Sequence, residues 1–237
     1  MVPLADPAFP DNCLTRNEWI CGRYYSTRSH ELESALLQHL GIVVTSVALG
    51  LALAIPLALL ARRYRKLEGF IVGSTTAIYS IPSLALFSLL VPFTGLGRST
   101  VLIGLGLYSL TVLVRAILDG LDAVAAEVRE AAAGVGYDGR RMLLKVEIPL
   151  ALPAFMAGLR VATVSAVALT TVGSILDYGG LGDLILEDST FKAQVLAGSV
   201  LCVALAVTLD VLLVVGQRLL TPWARQAHKA PRRVRTV

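Results

Sequence analysis

Five apolar stretches, near Leu37–Ala61, Phe70–Val91, Thr100–Leu118, Leu150–Leu176 and Val195–Gly216, limit what this chain can become more than any other feature. A hydrocarbon core of about 30 Å takes roughly 20 helical residues to cross, whereas a barrel strand needs only about 10. Each stretch is apolar around its whole circumference, and backbone groups in lipid must pair within their own segment, so helices are expected. The expected fold class is therefore all-α integral membrane, with about five transmembrane helices. Only 16% of the 237 residues are charged and 55% are hydrophobic; a soluble domain carries about 25% charged residues. Pro56, Pro82 and Pro153 predict kinks that neighbouring helices can tolerate. The first 30 residues lack both a basic region and a long apolar run. That pattern is not a cleavable signal peptide, and insertion is expected to begin at the first span.

The formal charge of +4 does not point to nucleic acid, because the basic residues sit in short segments beside the apolar runs. Segments 61–69, 119–149 and the tail after Gly216 hold fourteen Lys and Arg, and the intervening connections hold five. Positive charge collects in the cytoplasm, so the N-terminus is expected outside and the C-terminus inside. This divides the chain into an extracytoplasmic segment 1–36, a membrane domain 37–220 with a cytoplasmic loop 119–149, and a basic tail 221–237. Cys13 and Cys21 bracket "CLTRNEWIC" on the expected outer side, where a disulfide can persist. They are either bonded or two free thiols in a loose tail. Cys202 reads as a packing residue in the fifth span.

The loop "REAAAGVGYDGRRMLLKVEIPLALP" (129–153) interrupts the apolar pattern with Arg129, Glu130, Asp138, Arg140, Arg141, Lys145 and Glu147. Leu121, Val124, Ala125, Val128, Ala132 and Val135 recur at helical spacing, so an amphipathic helix is expected to end at Gly134 or Gly136. Asp138 can cap a second short helix that runs to a boundary at Pro149. Two small helices joined by glycines would present charge and an apolar seam to a soluble partner. The alternative is a helix lying on the lipid headgroups.

"EAAAGVG", followed after nine residues by "VEIP", resembles the EAA motif of ATP-binding-cassette (ABC) importer permeases, EAA-x3-G-x9-I-x-LP. Glu130, Ala131, Ala132, Gly136 and Pro149 match it, while Val146 and Ile148 stand where Ile and Leu are usual. In that family the segment is the coupling helix, seated in a groove of the ATPase subunit. "YSIPSLALFSLLVPFTGLG", "FMAGLR" and "GGLGDLI" look like the branch that imports osmoprotectants such as glycine betaine, choline, carnitine or proline. The resemblance covers about His39 to Leu220. It implies the type I importer (MetI-like) permease fold and a prokaryotic cytoplasmic membrane. It also implies a second permease subunit (identical or paralogous), two ATPase subunits carrying ATP and Mg, and an extracytoplasmic solute-binding protein. "LTTVGSILDYGGLG" departs from the family's usual small-residue run by placing Asp177 and Tyr178 before the double glycine.

Polar residues within the spans complete the expectations. Arg115 can snorkel to the headgroups from the end of the third span. Arg160 lies inside the fourth span and needs a partner, for which Asp210 is a candidate. Ser80, Pro82, Ser83, Arg160, Thr170, Thr171 and Ser174 are candidate pore or gate residues, although Ser and Thr also serve in helix packing. "GLGD" (180–183) resembles the G-x-G-D sequence of intramembrane aspartyl proteases. That chemistry needs two carboxylates from different spans, whereas Asp177 and Asp183 share one connection, so a glycine turn is the better reading. The chain has no Walker-type sequence, so no catalytic residue is expected and ATP hydrolysis is assigned to another subunit. No metal site is expected, because no His/Cys cluster has zinc spacing. No aromatic-rich outer domain is present to cage a quaternary ammonium, so capture is assigned to a separate protein.

Overall fold

The structure, a computed structural model, describes residues 12–223. Residues 1–11 of the expected outer segment, and all but 221–223 of the expected basic tail, lie outside that range. Among the described residues the regular elements are helices. They are α1 Gly22–Thr27, α2 Ser29–Arg63, α3 Arg65–Tyr79, α4 Ser83–Thr94, α5 Arg98–Asp122, α6 Ala126–Gly134, α7 Gly139–Met142, α8 Ile148–Thr170, α9 Leu181–Glu187 and α10 Lys192–Leu220. A π turn, Leu143–Glu147, joins α7 to α8, and a 3₁₀ turn, Thr171–Leu176, follows α8.

Four helical runs are long and apolar enough to cross a membrane: Ser29–Arg63, Arg98–Asp122, Gly139–Leu176 and Lys192–Leu220. The expected second span is not one helix but two, the 15-residue α3 and the 12-residue α4. Proline explains the break. Pro82 bars Ile81 from the helical region, and Pro82 itself takes an extended ψ of 140° ahead of α4. Pro56 and Pro153, by contrast, lie within continuous helix.

Pro149 does not form the expected boundary, because helix runs from Gly139 through the π turn into α8. A proline inside a helix removes one backbone hydrogen bond and crowds the carbonyl four residues back. The wider π turn directly before it absorbs the mismatch. The helical run of the fourth span therefore begins eleven residues earlier than the apolar pattern alone suggests.

Two compact units arise, and α2, α5, α8 and α10 each contribute to both. The first comprises 12–48, Ile81–Gly106 and Ser165–Val207; the second comprises Leu49–Ser80, Leu107–Val164 and 208–223. The second unit's core is an alanine stripe, Ala54, Ala58 and Ala61, packed with Ile71, Leu110, Leu113, Val114, Leu118 and Ala162. Small residues suit such a core because lipid supplies no hydrophobic drive, so close backbone approach supplies dispersion instead. Gly158 follows the same logic, since a β-carbon there would collide with that of Ala116.

The first unit packs Ile42, Phe87, Val101, Leu105 and Leu176 together, and Gly104 makes room for the Phe87 ring. Its N-terminal part is anchored. Cys13 is bonded to Cys21, with Cα atoms 5.5 Å apart. Tyr24 meets Phe191 edge to face at 5.3 Å. Asn17 donates to the Thr190 carbonyl and accepts from the Lys192 N–H, both at 2.8 Å.

Candidate functional site

The charged loop folds as two short helices whose ends are specified by local chemistry. α5 stops at Asp122, and α6 begins only at Ala126, later than the apolar periodicity suggests. Gly136 takes φ +88°, its N–H bonds the Ala133 carbonyl (2.9 Å), and the Tyr137 N–H bonds the Ala132 carbonyl (3.1 Å). That pair of bonds is the Schellman closure, which needs a left-handed residue just past the helix. Two residues on, the Asp138 carboxylate accepts from the Arg141 N–H at 2.8 Å and caps α7.

This segment is largely exposed. Glu130, Ala131, Gly134, Gly136 and Gly139 are exposed, Ala132 and Val146 are half-buried, and Ile148 is exposed. Val135 is 74% exposed and Leu144 64% exposed, an apolar display beside charge. A β-carbon at Gly136 would touch nothing within 4 Å, so this glycine serves its dihedral angle and not close packing within the chain.

One of the loop's charges, Glu147, has a role that its place in the sequence does not reveal. The Glu147 side chain is only 4% exposed and binds two guanidiniums, those of Arg62 and Arg129, the latter at 2.9 Å. Arg129 also donates to the Leu121 carbonyl at 2.6 Å. One carboxylate thus ties the end of α2, the last turn of α5, α6 and the π turn together. A buried carboxylate is tenable only when paired in this way. A lone Glu between Lys145 and an apolar run was the available signal.

In the first unit, "YGGLGD" forms a tight turn on the 3₁₀ segment. A β-carbon at Gly182 would lie 2.5 Å from the Thr171 carbonyl oxygen, and one at Gly179 would overlap Ser174. Gly180, at φ +58°, would press a β-carbon to 2.8 Å from the His39 backbone. His39 is fully buried. Its Nδ1 accepts from the Leu181 N–H at 3.3 Å, which leaves Nε2–H to donate to the Val167 carbonyl at 3.1 Å. A histidine inside an expected span was the signal for this anchor. The Asp183 carboxylate accepts from the Gly179 N–H at 2.9 Å, and burial pushes its pKa up, partly offset by those backbone donors. The sequence that resembled a protease motif is a packed turn.

The remaining candidates divide between the units. In the second, Arg160 donates to both carboxylate oxygens of Asp210, at 2.7 and 2.9 Å, and the Ser80 hydroxyl bonds the Thr76 carbonyl at the end of α3. In the first, Pro82 precedes α4 and Ser83 opens it. Thr170 is buried and spends its hydroxyl on Ala166, while Thr171 and Ser174 bond Ala168 and Thr171 and form the floor under the glycines. These three hydroxyls serve helix and turn packing here.

Comparison with known proteins accords with this architecture. Residues 46–226 match the family described as binding-protein-dependent transport system inner membrane component. The glycine betaine/carnitine/choline transport system permease protein OpuCD of Bacillus subtilis is 35% identical over 204 residues, covering 85% of this chain and 89% of the relative. The osmoprotectant import permease protein OsmW of Salmonella typhimurium is 34% identical, covering 81% and 92%. Among solved structures, a chain of the inward-facing MetNI methionine ABC transporter superposes with a TM-score of 0.66 at 20% identity, covering 80% of this chain and 94% of that one. A chain of an amino acid ABC transporter crystallised with histidines gives 0.71 at 17% identity, covering 84% and 98%. The structural likenesses speak for the fold; the sequence matches settle descent, and this multi-pass chain belongs to the family of binding-protein-dependent transport system inner membrane components.

Proposed function

We propose that the chain is the permease subunit of an ABC importer for compatible solutes of the glycine betaine, choline, carnitine or proline kind. The observation that carries the transport reading is the exposed knob. Its charge at Glu130 and its Schellman turn at Gly136 are exposed and offered to a partner. The substrate class is supported by the relatives, whose names specify glycine betaine, carnitine and choline. Two such permeases, identical or paralogous, face each other across the pore in a prokaryotic cytoplasmic membrane. Two ATPase subunits bind ATP and Mg beneath them, and a solute-binding protein delivers cargo from outside. ATP-driven closure of the motors brings the knobs together and opens the pore outward; hydrolysis and release reset it.

The orientation is N-terminus out and C-terminus in, on the strength of the fourteen-to-five basic asymmetry. An impermeant thiol reagent on intact cells should reach a cysteine placed at Asp188 and miss one placed at Arg65; the reverse pattern overturns the orientation. Function is tested by uptake of radiolabelled glycine betaine, choline, carnitine, proline and methionine into vesicles carrying the complete system. Saturable, ATP-dependent uptake of the trimethylammonium solutes is expected. Uptake of methionine alone would assign the chain to amino acid import instead.

A further inference from the structure

α3, α5 and α8 line an open groove of about 690 Å³ that includes Thr76, Tyr79, Arg115, Asp119, Ala157 and Gly158. Its alanine and glycine wall leaves room for a small solute, and its charged groups lie at the end of the expected third span, Arg115 in the last turn and Asp119 just beyond it. Arg115 and Asp119 are both exposed, one helical turn apart on α5. Residues so spaced can pair, yet these do not. Arg115 donates to the Thr76 hydroxyl at 2.8 Å, and among the described residues the Asp119 carboxylate accepts no hydrogen bond. The contrast with Arg160 and Asp210, which satisfy each other fully, is direct. Charges left apart on one open groove at the end of a span are available to a charged solute that passes it. Tyr79, 45% exposed, is braced edge to face by Tyr108 at 5.6 Å.

Resting on the function proposed above, we infer that this groove is a transient substrate site on the transport path, with one end for each charge of a zwitterion. Asp119 and the Tyr79 ring take the quaternary ammonium, which has no N–H and is recognised only by charge and aromatic faces. Arg115 takes the carboxylate through its two-pronged guanidinium, exchanging the neutral Thr76 hydroxyl for an anion. Choline has the ammonium but no carboxylate, so Arg115 discriminates between solutes whereas Asp119 and Tyr79 do not.

The test uses the complete transporter, with its ATPase and binding protein, in vesicles of phosphatidylethanolamine and phosphatidylglycerol. The quantity read is the ratio of glycine betaine to choline uptake, which a general loss of folded protein leaves untouched. Arg115→Ala is expected to lower that ratio about tenfold or more, the value of a charge-assisted hydrogen bond, and Arg115→Lys, which keeps the charge but not the fork, to restore only part of it. Asp119→Asn and Tyr79→Ala should raise KM for both solutes by similar factors, with Tyr79→Phe close to wild type. An unaltered ratio in Arg115→Ala overturns the inference. If uptake of both solutes falls together, Arg115 anchors α5 to lipid phosphate; if neither falls, the groove is off the path. Wild-type protein that carries neither solute overturns the functional reading and this inference with it. A wild type that carries both, with no change of ratio in the variant, overturns the groove alone.

Discussion

A β-carbon added at Gly180 would lie 2.8 Å from the His39 backbone, whereas one added at Gly134, Gly136 or Gly139 would meet no atom within 4 Å. Both regions are glycine-rich turns between helices, yet one is filled from every side and the other is open. In the first, glycine is required because something already occupies the space. In the second, at Gly136, it is required because of the backbone angle alone. The first turn completes its own core; the second holds a shape for a surface that belongs to another molecule. Motif glycines of identical appearance in a sequence can therefore differ in whether their loss harms the fold or the assembly.

The largest effect should follow from filling the packed turn. Gly180→Val adds left-handed strain and overpacking against His39, together roughly 2–5 kcal/mol. The expected outcome is a marked fall in thermal stability and yield of detergent-purified protein. Wild-type melting behaviour would mean that the turn yields, and the comparison would fail.

Next comes Glu147→Gln, which leaves two guanidiniums around a neutral amide, at a cost of about 2 kcal/mol. Because Glu147 ties α2 to the knob, ATP hydrolysis should continue while uptake per ATP drops. Equal loss of both would assign Glu147 to stability alone.

The smallest effect on the fold belongs to the open turn. Gly136→Ala carries left-handed strain of about 1–2 kcal/mol with no clash, and Glu130→Ala removes an exposed charge. Glu130→Ala should leave melting unchanged and reduce co-purification of the ATPase about tenfold, as loss of a charge-assisted contact would, while Gly136→Ala should lower melting by only a few degrees and weaken co-purification as well. If Gly136→Ala unfolds the protein before it weakens assembly, the two turns are not opposites.

The spans were legible because lipid imposes length and apolarity on every residue at once. The helix ends around Gly136 and Asp138 were legible too, since each depends on neighbours within a few positions. Two other features were not. The break at Ser80–Pro82 could be anticipated as a kink, but whether proline bends a helix or ends it depends on what packs around it, and Pro56 and Pro153 lie in continuous helix. Glu147 and His39 were missed because their partners, Arg62 and Leu181, are 85 and 142 residues away. No local pattern records such distances. The groove carrying Arg115 and Asp119 was invisible for a related reason, since the snorkelling expected of Arg115 considers one helix against lipid and not three helices around a space.

Helix continues through position 149, so α7, the π turn and the part of α8 up to Val164 run on without a break in the second unit. With a rise of about 1.5 Å per residue, the stretch from Gly139 to Val164 measures roughly 39 Å. A continuous helix of that length is a path along which a push or twist at its tip can travel, with the π turn and Pro153 the two places where it can give. A boundary at Pro149 would have made a universal joint there, and the same push would have spent itself in the elbow.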